Sequence, residues 1–493
     1  MTNVLSNIDT LRTQRITSVE DSHKSLLGQY LTPVGIAAFM ASLLDIYGPK
    51  EETISLLDPG AGLGVLFCSF LEKKRATHFQ GVINIDAYEI DETILPHLKN
   101  VVNEFSALPN VRTQIITKDF IKTATYEIRA GSNRMYSHII MNPPYKKIIS
   151  TSDYRYCLRD IGVETVNLYS AFLAVAAHLL VQGGVVVAII PRSFCNGLYF
   201  LPFRKFILRH TELLHIHTFH SRRDAFKEES VLQENVIIVL RKGKNQPVGV
   251  CVSSSGGKHF DDYSENIVLF NDIVKPNDEQ LYIAIPAAKN NVSEAHNFST
   301  TYKELGIEIS TGPIVDFRMK EKLVANISND SIPLLYPVHF KNGIFSWPVK
   351  SKKPNSVFLD NLEKEKLAFK RGAYVLVKRF STKEEKRRIQ AFLISGDEIT
   401  SKYFTVENHL NIVHSNKSGL DKYLAAGLFA YLNTQYFDNA FREFSGHTQV
   451  NATDLRNMKY PPWEQLIKLG KKIFHNPRID IETTFKEEMN EDA

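Results

Sequence analysis

The chain has 493 residues, too many for one ordinary core; at roughly 150 residues per domain it should fold as two or three units. Hydrophobic residues at 43% and charged residues at 23% describe a soluble globular protein, and a net charge of +5 permits a polyanionic partner without demanding one. Cys68, Cys157, Cys195 and Cys251 are scattered with no CxxC pair, which argues against a disulfide framework or a Cys-based zinc site and fits a reducing cytoplasm.

The N-terminal stretch MTNVLSNIDTLRTQR lacks the apolar core of a signal peptide. Through about residue 241, short Val- and Ile-rich runs alternate with segments of helical period, the pattern of βαβ units around a parallel, Rossmann-like α/β sheet. Seven strands are predicted, near 54–58, 82–89, 113–116, 138–141, 185–190, 213–218 and 235–240. The last two, separated by a loop over 219–234, should pair antiparallel at one side of the sheet. The longest apolar stretch, 171–190, is interrupted by His178 and Gln182-Gly-Gly, so it reads as helix, turn and strand and not as a membrane span. Residues 1–245 are therefore expected to form one domain. Residues 246–300, with SSSGG and PAAKNN, read as a linker or irregular subdomain, and 301–493 as a second domain of mixed α and β character.

Within the first domain, strand 54–58 ends in Asp58 and runs into Pro59-Gly60-Ala61-Gly62-Leu63-Gly64, then into a helical segment. Glycines between a strand and a helix let backbone approach a ligand, and the helix N-terminus favours a negative group. The second strand ends in Tyr88-Glu89, an acid placed to accept ribose hydroxyls. After the third come Lys118-Asp119-Phe120, an acid for an adenine amino group beside a ring that can stack. Each acid alone could be a solvated loop carboxylate, but the carboxyl ends of successive strands are where open α/β sheets bind ligands. A phosphate-binding ATPase would need GxxxxGK[ST], and DPGAGLG departs from GxGxxG, so an amino-acid-bearing adenosine suits the loop better than ATP or NAD.

The fourth strand is followed by Asn142-Pro143-Pro144-Tyr145. Asn142 offers a side-chain carbonyl, and prolines on either side fix the direction of the Pro143 carbonyl. Two fixed acceptors can bind both hydrogens of a planar exocyclic amine and favour the tetrahedral geometry in which its lone pair is free. Tyr145 supplies a face for the ring, a contact worth about 1–3 kcal/mol. The bland alternative is a turn that ends a strand. His210, His215, His217 and His220 have no carboxylate or cysteine completing a ligand set, so no metal is expected.

On these residues the chain resembles the amino methyltransferases of DNA in their γ arrangement, and its C-terminal segments STGPIVDFR, VENHLNIV and FSGHTQVNATDLRNMKYP are similar to the Eco57I-type and PstI/BsuBI-type adenine methyltransferases of restriction–modification systems. Gly28-Gln-Tyr-Leu-Thr32-Pro33 looks like the N-terminal cofactor segment of that family. The resemblance implies a class I S-adenosylmethionine-dependent methyltransferase fold with a C-terminal target-recognition domain. It implies S-adenosylmethionine as donor, with Thr32 and the glycine loop near its methionine part, Glu89 at the ribose and Asp119 with Phe120 at the adenine. Phe226 matches the aromatic that covers the other face of a flipped base. The implied activity is site-specific DNA adenine N6-methylation of double-stranded DNA, alongside a separate restriction endonuclease. Cytosine N4-methylation stays open, although Ser is usual as the first motif residue there, and a protein or RNA amino methyltransferase is a further alternative. In the C-terminal domain Lys378, Arg379, Lys386, Arg387 and Arg388 could bind phosphates or form a solvated helix face. Gln449 and Asn451 are candidates for base edges or turns.

Overall fold

The computed structural model describes residues 2–18, 31–105, 108–132, 134–220, 234–256, 260–276, 278–286, 298–325, 327–328, 330–341, 344–381, 385–444 and 449–490. Two compact units divide at 291/292. The first holds a nine-stranded sheet in the order β3-β2-β1-β4-β5-β7-β6-β8-β9. Its strands are β1 (Thr53–Pro59), β2 (Val82–Tyr88), β3 (Val111–Ile116), β4 (Tyr136–Met141), β5 (Leu180–Pro191), β6 (Thr211–Phe219), β7 (Asn235–Lys242), β8 (Gly249–Ser255) and β9 (Ser264–Leu269). Strands β1 to β5 are parallel to one another, and β7 runs antiparallel between β5 and β6. The first seven strands fall where the sequence predicts them, within a few residues at their ends, in the arrangement of a class I S-adenosylmethionine-dependent methyltransferase.

The helices that matter for the site are α1 (Thr2–Ser18), α2 (Val34–Tyr47), α3 (Val65–Ala76), α4 (Leu95–Phe105), α5 (Phe120–Ala130), α6 (Asp153–Asp160), α7 (Leu168–Leu179) and α8 (Leu201–His210). Two apolar clusters fill the two faces of the sheet. One joins α5, α7 and α8 to Met141, Ala188 and Ile238; the other joins α2, α3 and α4 to Ile140, Ile189 and Ile237. Both faces of β4 and of the later part of β5 are thus covered, so β4 is buried throughout and residues 185–190 of β5 form an unbroken apolar run.

The region expected to be a linker over 246–300 instead supplies β8 and β9, and the first unit extends to residue 291. The reason lies in how β8 satisfies its burial. Ser253, Ser254 and Ser255 are buried but polar. Their hydroxyls meet the rings of His215 and His217 on β6, and of His220 just beyond it, at 2.6–3.1 Å. A strand held by a histidine–serine ladder reads as polar in sequence although it lies inside a sheet. The ladder takes in His215, His217 and His220 of the histidine cluster, while His210 bonds the Phe206 carbonyl at 2.8 Å; burial holds His215 down to about 4 and His217 to about 3.

The second unit combines a four-stranded sheet, ordered Glu308–Thr311, Leu410–His414, Tyr374–Lys378, Ala391–Ile394, with a five-stranded one. Helices Lys422–Leu432 and Trp463–His475 pack backbone to backbone. A Cβ at Gly427 would sit 2.0 Å from the Leu466 carbonyl oxygen, and one at Gly470 would sit 1.8 Å from that of Tyr423, so only glycine permits the crossing.

Candidate active site

At the carboxyl edge of β1, Gly60, Gly62 and Gly64 adopt left-handed φ of 83°, 56° and 84°, values open to glycine at little cost. This turns the chain sharply into α3. The amides of Gly60 and Ala61 donate to the Tyr88 carbonyl at 2.9 and 2.8 Å, tying the loop to the end of β2. Glu89, 3% exposed, completes the tie. Its Oε2 accepts from the Gly62 amide at 2.8 Å and its Oε1 from those of Ile90 and Asp91 at 2.8 and 2.7 Å. Burial raises its pKa, and these backbone donors oppose the rise.

The loop borders a cavity of about 380 Å³ whose walls include Gly60, Glu89, Asp119, Phe120, Asn142 and Phe172, a volume in the range of small-ligand sites. The structure thus brings Gly60, Gly62, Glu89, Asp119, Phe120, Asn142 and Pro144, from the ends of β1, β2, β3 and β4, to one chamber. Phe120 packs against Tyr88 and Phe172 with ring centroids 5.2 and 5.0 Å apart, so its ring is a fixed wall. Asp119 caps α5 by accepting from the Lys122 amide at 2.9 Å, and its other oxygen takes the Tyr154 hydroxyl at 2.5 Å. Tyr154 is a wall residue that sequence reasoning missed; no spacing rule links positions 35 apart on different elements.

Asn142 follows β4, whose six residues are all buried. Its Nδ2 donates to Thr32 Oγ1 at 2.9 Å, and its Oδ1 accepts from the Tyr145 hydroxyl at 3.0 Å. The amide is therefore oriented from both sides. The Tyr145 hydroxyl has a second acceptor, the Ile189 carbonyl, at 3.2 Å, and its ring meets Tyr169 edge-on at 6.3 Å. Pro144 lines the cavity and Pro143 is buried. Thr32, 3% exposed, borders a small recess beside the chamber together with Arg12 of α1, Gly62 and Asn142. Arg12 is another wall residue that no motif announced.

Asp58 stands apart from the other site residues. It is fully buried behind the loop and does not line the chamber. Burial pushes its pKa up to about 8; the Phe67 amide opposes the rise and the Glu89 charge adds to it. Phe226, and Gly28 to Tyr30 of the N-terminal segment, lie outside the described residues.

In the second unit Lys378, Arg379, Gln449 and Asn451 come together, because Phe380 bridges to Gln449 and the Val450 amide donates to the Arg379 carbonyl at 2.7 Å. Lys378 pairs with Glu385 at 3.5 Å and Arg379 donates to the Asn408 carbonyl at 3.1 Å. Asn451 and Asp454 form a capping box at the start of a helix. Arg387 lies elsewhere, paired with Glu482 at 3.1 Å. Arg388 is 1% exposed and sits over the Phe441 ring, so it belongs to the core and not to a basic surface.

The family described as Eco57I restriction-modification methylase matches residues 39–226. Type II methyltransferase M.BsuBI of Bacillus subtilis is 42% identical over 499 residues, covering 99% of this chain and 98% of that protein. M.PstI of Providencia stuartii is 37% identical over 489 residues, covering 96% and 95%. Among solved structures, the chain of the DrdV–DNA complex aligns with a TM-score of 0.54 at 12% identity, over 95% of this chain and 59% of that one. That last likeness is one of fold.

Proposed function

From its place among the type II restriction–modification methyltransferases, the family to which this chain belongs along nearly its full length, we propose that the protein methylates N6 of a flipped-out adenine at a specific site in double-stranded DNA. The observation that carries this reading is Asn142, held by Thr32 and Tyr145 in the wall of the chamber that the glycine loop borders. S-adenosylmethionine, the donor implied by fold and family, supplies an electrophilic methyl group on a sulfonium.

The chamber fits the nucleoside part of that donor. Gly60 and Gly62 permit close backbone approach, Glu89 offers carboxylate oxygens at the ribose, and Phe120 offers a ring at the adenine. Asn142 Oδ1 and the Pro143 carbonyl accept the hydrogens of the target amine. When the amine arrives, the Tyr145 hydroxyl keeps its alternative acceptor at Ile189, so Asn142 can change partners without stranding the phenol. Acceptors aimed at a tetrahedral nitrogen act mainly in the transition state, so no tuned base is required. The second unit would read the target sequence, with a separate endonuclease as the partner activity and the cytoplasm as the compartment.

Cytosine N4 is the alternative amine, and Asn in place of Ser at position 142 favours adenine. Modification-sensitive long-read sequencing of DNA from cells expressing the wild type or Asn142→Ala tests both. Methyladenine at one motif, lost in the variant, supports the reading; methylcytosine, or no mark, overturns it.

A further inference from the structure

Asn235 is the first residue of β7, 4% exposed, and neither its Oδ1 nor its Nδ2 has a hydrogen-bond partner among the described residues. An amide carries two donors and an acceptor, and native folds seldom bury all of them unpaired without a reason.

Its position supplies one. Because β7 is antiparallel to β5, its first residue stands at the same edge of the sheet as the ends of β4 and β5. Asn235 pairs with Pro191, Ile237 with Ile189, and Ala188 with both Met141 and Ile238. Side chains alternate along a strand, so Asn235 shares the face of Ile237 and Ile189. Asn142, next after Met141, points to that face too, as its bond to Thr32 ahead of α2 requires. Two strand spacings, roughly 10 Å, separate β4 from β7. The preceding residue is fixed: Glu234 accepts from the Arg192 guanidinium at 3.0 Å, and its carbonyl takes the Arg192 amide at 2.7 Å. A side chain on so firm a backbone is placed in advance.

We propose that Asn235 orients the target base, its Nδ2 donating to the ring nitrogen N3 at the far edge of an adenine whose amine is held by Asn142 and Pro143. This rests on the adenine N6 reading above. It makes the pocket measure a purine across its width, with one fixed amide at each end.

The test uses the full chain, labelled S-adenosylmethionine and a duplex carrying the motif found by sequencing, with the target as adenine, 3-deazaadenine or 7-deazaadenine. Wild type should lose roughly 10- to 100-fold in kcat/KM on 3-deazaadenine and little on 7-deazaadenine. Asn235→Ala should lose a similar factor on adenine, with unchanged S-adenosylmethionine binding, and nothing more on 3-deazaadenine. If wild type treats the two analogues alike, the contact is absent even should the variant fail to fold. Full activity of a folded Asn235→Ala also overturns the proposal. A wild type that transfers no methyl to adenine defeats the underlying reading instead, and this inference with it.

Discussion

Thr32 and Asn142 are 110 residues apart in sequence, yet the Thr32 hydroxyl takes the hydrogen bond of the Asn142 amide at 2.9 Å. The contact fixes which end of the amide is presented as acceptor, because it occupies the donor end. Thr32→Val keeps the volume and removes the acceptor, so the amide should rotate away from its productive pose. The methyl-transfer rate in a single turnover should fall roughly 10- to 100-fold, and Thr32→Ser should restore most of it. An unchanged rate in a folded Thr32→Val variant would show that Tyr145 alone orients Asn142.

Tyr145 combines two roles that substitution can separate. Its hydroxyl bonds Asn142 and Ile189, while its ring is the stacking face proposed for the base. Tyr145→Phe removes only the hydroxyl, and the rate should drop by no more than about tenfold. Tyr145→Ala removes the face as well and should weaken target-DNA binding by a further 1–3 kcal/mol, roughly 5- to 150-fold. Equal losses in the two variants, by rate and by DNA titration, would exclude stacking on this ring.

Glu89 holds the Gly62, Ile90 and Asp91 amides with one carboxylate. Glutamine has a single acceptor oxygen and would turn an N–H toward one of these donors. Glu89→Gln should therefore loosen the glycine loop as well as the ribose contact, weakening S-adenosylmethionine binding roughly tenfold or more, since bonds to charged acceptors are worth about 1.5–3 kcal/mol each. Calorimetric titration with the cofactor measures this, and an unaltered Kd would remove Glu89 from the cofactor site.

The sequence was most readable where one local pattern determines the outcome. The seven predicted strands and the glycine turn follow from short-range rules. What could not be read are pairings made across the sheet. Ser253 to Ser255 looked like a linker because their histidine partners lie on β6 and just past its end, and nothing local joins Tyr154 to Asp119. Arg388 shows the reverse failure. Charge pattern placed it on a surface, but its backbone amide bonds Asp438 at 2.6 Å and its side chain lies on Phe441 inside the second unit.

Three buried imidazoles should make the first unit less stable in acid. Burial lowers His138 and His217 to about 3 and His215 to about 4, from an ordinary value of 6.5. Below pH 6.5 the unfolded chain takes up protons that the folded one refuses, so this contribution is complete above 6.5 and is lost as pH falls toward 3 to 4. The melting temperature should decline steadily between pH 6.5 and 4.5, and His217→Asn should make the decline shallower. Parallel curves for variant and wild type, by scanning fluorimetry, would rule out His217 as a contributor.

Asp58 acts in the opposite direction on the alkaline side. With its folded pKa near 8 against an ordinary 3.8, it is largely protonated in the fold at neutral pH, while the unfolded chain holds it ionised. A raised carboxyl pKa means the folded state binds the extra proton, so stability is greatest below 3.8 and is lost as pH rises through 8. Asp58→Asn keeps the shape and removes the titration. Its melting temperature relative to wild type should therefore rise by several degrees between pH 5 and pH 9. A difference that stays constant across that range would mean that Asp58 is already ionised in the fold and has a compensating partner. The enclosed carboxyl behind the glycine loop would then have to be counted with the charged groups of the cofactor site.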